Sequence, residues 1–365
     1  MPTSRSRLAP IDFVRGIAIL LVLGRHHPIS PKTENWWSYP AVVWHHWGWT
    51  GVDLFFVLSG FLVSGLLFRE YLVAGQIRIR PFLVRRAFKI WPSYYFHLAG
   101  LAGFLSYDGQ SDAWRYLLPA ILNVQNYFEP IRIHLWSLAV EEHFYLALPI
   151  LLVALMKWGR LRYLPGIVLC LVVACTAGRT WLRLQDAGSL LPLYATHLRL
   201  DGLAVGVLLA YLKYMRPAIW LALEARRTGL LAGGLILVIL GGLPNLDTVP
   251  AVLFGLPALY VGYAGILVAF AATNADSAPR IASVVHSAPG RWITWTGMYS
   301  FSIYLWHNEI GVRPVHRLEI WLSGMLGTSL LWVAIGKLVE QPVLVLREIW
   351  IPAAQPAPQA KAARA

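Results

Sequence analysis

In the run "IDFVRGIAILLVLGRHH", Arg15 and His26 are separated by ten residues. Eleven helical steps make about three turns, so both side chains fall on one stripe, roughly 16 Å apart along the axis. A guanidinium can grip a phosphate through charge-assisted, often bidentate contacts. A neutral imidazole near pH 7 can take a proton from a hydroxyl or carry an acyl group itself. A snorkelling arginine or an interfacial histidine explains each residue singly, but neither explains the shared stripe. Arg25 and His27 flank His26, and His27 is its competitor.

Further ionisable residues interrupt other apolar runs. Asp53 lies in "GWTGVDLFFVLSGFLVSGLLF". Its carboxylate is expected either to orient His26 and stabilise its cation, or to form a structural pair, with Arg25 as one partner. Ser59 is a nucleophile or a packing residue, and its neighbours Gly51, Gly60 and Gly65 favour close helix approach. In "RIRPFLVRRAFKIWPSYY", Arg85, Arg86 and Lys89 occupy neighbouring faces of one turn. They form a phosphate cradle or an anchor of the positive-inside kind. Glu141, Glu142 and His143 are consecutive in "HLWSLAVEEHFYLALP". Successive helical side chains point about 100° apart, so at least one of these carboxylates must face a polar cavity. Arg199 and Asp201, in "HLRLDGLAVG", are too close in sequence to face each other. Each therefore needs a partner on another helix, in a structural role. His307 closes "YSFSIYLWH". Cys170 and Cys175 face different ways on one helix, so neither a disulfide nor a metal site is expected from them. No metal-ligand spacing is visible elsewhere.

The elements that must position these residues follow from composition. The 365-residue chain is 57% hydrophobic and 13% charged, with mean hydropathy +0.56. A soluble domain carries about 25% charged residues. The long continuous apolar runs point to helices rather than a barrel. Seventeen Trp and 16 Tyr suit the lipid–water interface. A net charge of +13 then reflects positive-inside bias and anionic headgroups, with no nucleic-acid partner expected.

The expected fold is an all-α polytopic membrane protein with ten transmembrane spans. They cover 10–27, 48–68, 90–106, 134–156, 163–182, 199–214, 229–243, 251–273, 292–311 and 318–341. Ten spans with both termini cytoplasmic place most of the 31 Lys and Arg on the inner side. An eleventh span at 114–128 would largely cancel that bias, so 107–133 reads as an outer loop dipping into the membrane. The first span reads as an uncleaved anchor. Residues 1–345 form one transmembrane domain, and 346–365 an Ala/Pro-rich, disordered cytoplasmic tail. His26, Asp53, Glu142, Arg199, Asp201 and His307 then gather toward the outer leaflet. Arg15, Arg85, Arg86 and Lys89 gather toward the cytoplasm.

The same segments resemble the acyltransferase family 3 membrane proteins, integral-membrane O-acyltransferases. The matching pieces are the Arg15–His26 run, "GVDLFFVLSGFLVSGLL", "VRRAFKIWPSYY", "WSLAVEEHFYLALPILL", "RLDGLAVGVLLA", "SFSIYLWHNEI" and "VEQP", in family order. Lys89 stands where Arg is common, and His143 where Gln or Trp is common. The resemblance implies ten helices, an essential histidine at His26 and a cytoplasmic acyl-CoA donor, commonly acetyl-CoA. It implies an acceptor hydroxyl on a carbohydrate, lipid-linked glycan, lipid or secondary metabolite, and a bacterial inner or plasma membrane. No bound cofactor is expected, nor the additional hydrolase-like domain of some relatives. Within that scheme Arg15, Arg85, Arg86 and Lys89 hold the CoA phosphates. His26, oriented by Asp53, does the acid–base work or carries the acyl group. Glu142 is a second acid–base or acceptor-orienting residue. The competing class is a transporter with the same charges lining its path.

Overall fold

A computed structural model describes residues 9–26, 39–109, 112–128, 130–189, 191–271, 279–309 and 318–350. His27 lies outside the described residues, as do both chain termini. Among the described residues every regular element is helical.

The first part of the chain comprises α1 (Ala9–His26), α2 (Tyr39–Trp47), α3 (Thr50–Ala74), α4 (Ile79–Tyr107) and α5 (Ala113–Ile121). Then come α6 (Trp136–Lys157), α7 (Leu164–Gln185) and two single turns, α8 (Leu191–Tyr194) and α9 (Thr196–Arg199). The chain continues through α10 (Asp201–Met215), α11 (Pro217–Ala225), α12 (Arg227–Gly242) and α13 (Leu256–Ala271). It closes with α14 (Pro279–His286), α15 (Ala288–Met298), α16 (Ser300–Trp306) and α17 (Leu318–Trp350).

Among the described residues, four helical stretches are long and apolar enough to cross a membrane: Thr50–Ala74, Ile133–Lys157, Leu161–Gln185 and Ala251–Ala271. A fifth arises if α10 and α11, which meet at 107°, make one broken span. The bend follows from Pro217, which cannot continue the preceding helix and instead opens the next. The expected 292–311 span is divided between α15 and α16. The 114–128 piece holds only the nine residues of α5, then a 3₁₀ turn at Gln125–Tyr127. Nine residues rise about 13 Å, too little for a crossing. α17 runs on through Trp350, so the described start of the 346–365 tail is helical.

The helices that carry the charges are held by backbone contact. A Cβ on Gly16 of α1 would meet the Ile293 carbonyl oxygen of α15 at 2.0 Å. One on Gly60 of α3 would meet the Leu203 carbonyl oxygen of α10 at 2.0 Å. Only glycine allows such approach, and small residues at helix interfaces are the usual means of packing where lipid removes the hydrophobic drive. The core between these pairs is aliphatic and aromatic, with Leu54, Phe56, Val57, Leu203 and Leu259 buried in it. α3 ends at Gly75, whose φ of 69° is the left-handed cap that lets the chain turn into α4.

Candidate active site

α1 is one unbroken helix from Ala9 to His26, so Arg15 and His26 do share a rigid rod. Arg15 opens into a cleft of about 920 Å³, part of it open to solvent. α4 presents Arg86 and Lys89 to the same cleft. Spaced three apart, they lie on one face of α4, whereas Arg85 points about 100° away. Arg85 therefore leaves the cleft and pairs with Glu348 of α17 at 2.9 Å. Hydrogen bonds from Arg85 and Arg347 hold the Glu348 carboxyl below the ordinary carboxylate range.

Partnering differs among the three cleft cations. Arg15 donates to Ser300 Oγ at 2.9 Å and lies 3.3 Å from Asp12 Oδ1. The guanidinium of Arg86 lies over the rings of Phe82 and Tyr145, at 5.7 and 5.6 Å. Among the described residues neither Arg86 nor Lys89 has a carboxylate within ion-pair distance.

α6 brings both of its carboxylates to the same cleft. Ser59 and Tyr145 donate to Glu141, at 3.1 and 2.6 Å. Trp91 Nε1 donates to Glu142 Oε2 at 3.2 Å, while Glu142 Oε1 is buried without a hydrogen-bond partner. His143 points a third way, within 2.7 Å of Thr196 Oγ1. Consecutive charges thus divide as helical geometry requires, with two facing the cleft. Ser59 serves as a donor that fixes Glu141. Apolar rings of Phe55 and Phe301 line the same space.

Tyr304 and Ser137 also line the cleft. Their hydroxyls are 2.6 Å apart, and Tyr304 donates to the His134 carbonyl at 2.8 Å. Tyr304 also touches a row of imidazoles, its ring centroid 5.6 Å from His307 and 5.9 Å from His134. His307 lies edge-on to His26, with ring centroids 4.7 Å apart. His26 and His307 are therefore direct neighbours. Arg25 turns to α2, within 3.5 Å of His45 Nε2. Burial and the Arg25 charge push the His45 imidazole below its ordinary value.

Asp53 is placed differently from the expected pairing with His26. It is buried and accepts from Arg199 at 2.6 Å. Asp201 takes Arg179 of α7 at 2.6 Å, and Arg179 also donates to the Leu198 carbonyl. Both Arg199 and Asp201 thus find interhelix partners. The glycine contact between α3 and α10 brings Asp53 within reach of the α9–α10 junction. A carboxylate there gains more from a fixed guanidinium than from an imidazole. Arg199 also lies over Trp136 and Phe56, at 5.2 and 5.8 Å. Arg179, inside the expected 163–182 span, is not among the residues singled out from the sequence. A charged residue one turn inside a long apolar helix was the available signal.

Sequence reasoning also missed His97, His134, Arg132 and Glu309, which meet beside the imidazole row. His97 Nε2 donates to Glu309 Oε1 at 3.0 Å, and Arg132 bridges both Glu309 oxygens. His97 and Glu309 lie 212 residues apart, so no local motif announces them.

The acyltransferase domain of the acyltransferase 3 family matches residues 8–336. The chain belongs to the acyltransferase 3 family. It is 27% identical over 87% of its length to the peptidoglycan O-acetyltransferase OatA of Listeria monocytogenes, covering 51% of that protein. It is 25% identical over 94% of its length to a Bacillus subtilis protein provisionally named peptidoglycan O-acetyltransferase, YrhL, covering 54% of it. A Staphylococcus aureus protein provisionally named an O-acetyltransferase is 32% identical over 55% of the chain, which covers 34% of it. The chain thus spans about half or less of the length of these relatives. No solved structure matches it. The match is to the family's acyltransferase domain, and the long apolar helices have the length and composition that a membrane span needs.

Proposed function

We propose that this protein transfers an acyl group, acetyl in the first instance, from cytoplasmic acyl-CoA to a hydroxyl of a cell-envelope glycan. In this reading ten spans cross a bacterial inner membrane, with both termini in the cytoplasm. The observation that carries it is the cleft in which Arg86 and Lys89 face a polar wall without carboxylate partners. Unpaired cations at membrane depth cost several kcal/mol, and an anionic ligand relieves that cost. The phosphates of CoA are such a ligand. The names of the relatives favour a glycan acceptor, of which peptidoglycan is the first to test.

Arg15, Arg86 and Lys89 grip the phosphates, and the apolar strip of Phe55 and Phe301 receives the pantetheine arm. The thioester then reaches the wall made by Ser137 and Tyr304, with His26 and His307 behind it. His26 takes the proton of the acceptor hydroxyl as its oxygen forms a bond to the thioester carbonyl carbon. The carbon–sulfur bond breaks, and the same proton passes to the departing thiolate. An acyl-His26 intermediate has the same balance in two steps. Glu142, with one oxygen unpartnered, orients the acceptor or shares the proton. Asp53 acts at a distance, by fixing α3 against the α9–α10 junction.

The test uses purified protein in detergent, labelled acetyl-CoA and peptidoglycan fragments. Label is expected on the glycan, with a loss of about 10²–10⁴-fold in His26→Ala and a smaller change in His27→Ala. No transfer by wild-type protein, alongside flux of the same substrates across sealed vesicles, would replace the enzyme with a transporter. Label trapped on the protein before acceptor is added selects the two-step route.

A further inference from the structure

His97 of α4, His134 in the turn before α6, and Glu309 just after α16 offer ligand atoms that all lie within 4.8 Å of one another. Two imidazole nitrogens and a carboxylate oxygen are the donor set of zinc and related transition ions. Ligand atoms sharing one tetrahedral zinc sit roughly 3.3 Å apart, from bond lengths of about 2.0–2.2 Å. His97 Nε2 and Glu309 Oε1 are already 3.0 Å apart. A pair at the 4.8 Å limit needs to close by about 1.5 Å, a shift within the reach of side-chain rotation.

The surroundings fit as well. His134 has its Nε2 against the Leu305 carbonyl at 3.2 Å. That is the usual outer contact of a metal-binding histidine, which fixes the tautomer and aims the other nitrogen. This other nitrogen, Nδ1, accepts from Asn308 Nδ2 at 3.3 Å, a contact that a bound ion would replace. His97 is fully buried, and its Nδ1 has no hydrogen-bond partner. Arg132 donates to both Glu309 oxygens, from Nε to Oε1 at 3.2 Å and from Nη2 to Oε2 at 3.2 Å. It gives the carboxylate a fixed direction, and an ion taking Oε1 displaces one of these contacts and keeps the other. With three protein ligands, the fourth position stays open for water.

We propose that His97, His134 and Glu309 form a binding site for a divalent transition-metal ion of the zinc class. The ion staples three segments that are remote in sequence. One of them carries His307, two residues before Glu309 and edge-on to His26. His134 is itself 4.9 Å from His307, centroid to centroid. The ion therefore fixes the imidazole row on which the proposed role of His26 rests. It acts as a positioning group, two rings removed from the reacting atoms.

The test is metal retention by the full, untagged chain in detergent. Protein stripped with chelator, reloaded with Zn²⁺ and desalted is expected to keep one zinc by elemental analysis. Co²⁺ in its place should give the visible absorption of a tetrahedral nitrogen–oxygen site. The double variant His97→Ala, Glu309→Gln should bind about 100-fold more weakly or worse. Glu309→His supplies a third imidazole and should restore retention, which separates ligand loss from misfolding. His26→Ala should retain zinc while losing transfer. No zinc in wild type, or equal zinc in wild type and double variant, overturns the site and leaves the acyltransferase reading standing. Zinc retention without acyl transfer does the reverse.

Discussion

Two groups of charge lie inside this helical bundle, and they are built on opposite plans. In the first, Asp53 holds Arg199 and Asp201 holds Arg179, each at 2.6 Å and all four side chains nearly or wholly buried. In the second, Arg86 and Lys89 face a cleft with no carboxylate partner among the described residues. The paired set is balanced in charge, an arrangement that suits a scaffold. The unpaired set is incomplete, and in the proposed reading a ligand supplies its complement. Charge in an apolar environment is therefore not in itself a mark of a binding site; the missing partner is.

The comparison can be broken most severely at the paired set. Arg179→Ala leaves Asp201 buried and alone, at a cost of about 3–5 kcal/mol. We expect loss of folded protein, read as failure to recover a monodisperse peak in detergent. A well-folded, fully active Arg179→Ala protein would show that this pair is not scaffold. The next effect is on binding. Arg86→Ala and Lys89→Ala should leave folding intact and each raise KM for acetyl-CoA by about 10–100-fold, since a hydrogen bond to a charged group is worth about 1.5–3 kcal/mol. A drop in kcat at unchanged KM would move these cations from ligand binding to chemistry.

Smaller effects sharpen the boundary of the cleft. Ser59→Ala removes one of two hydroxyl donors to Glu141 and should lower kcat/KM by roughly tenfold, from about 1–1.5 kcal/mol. Loss of all activity with covalent labelling abolished would make Ser59 a nucleophile instead. Arg85→Ala should change KM for acetyl-CoA least, because its pair with Glu348 is exposed and worth about 0–1 kcal/mol. Glu348 has a lowered carboxyl pKa, so this pair contributes fully above the ordinary value of 4.5 and is lost as the pH falls through the lowered value. A melting curve of Arg85→Ala should thus differ from wild type slightly at neutral pH and not at all in strong acid.

Much of the site was legible before the fold. The stripe of Arg15 and His26 follows from helical periodicity alone, whereas the expected grouping of Arg85 with Arg86 and Lys89 does not hold, because the 100° step turns Arg85 to Glu348. The requirement that a carboxylate of the Glu141–Glu142 pair face a polar space came from solvation cost. What stayed hidden is pairing between helices. Asp53 could have met any of several cations, and only the glycine contact of α3 with α10 selects Arg199. The helical bend at Pro217 and the division between α15 and α16 break runs whose hydropathy is continuous. His97, His134 and Glu309 come from separate segments, and composition carries no trace of their meeting.

The rigidity of α1 has a last consequence. Gly16 presses on the α15 backbone, so the helix has no freedom to slide, and its two functional side chains stay roughly 16 Å apart. In the proposed reaction α1 then works as a measuring rod. A donor with a long arm can be gripped at one end and react at the other. Acetyl phosphate, which carries its phosphate directly on the acyl group, is too short to span the rod. Its use as a donor at a rate matching acetyl-CoA would mean that the two ends of α1 do not act on the same molecule.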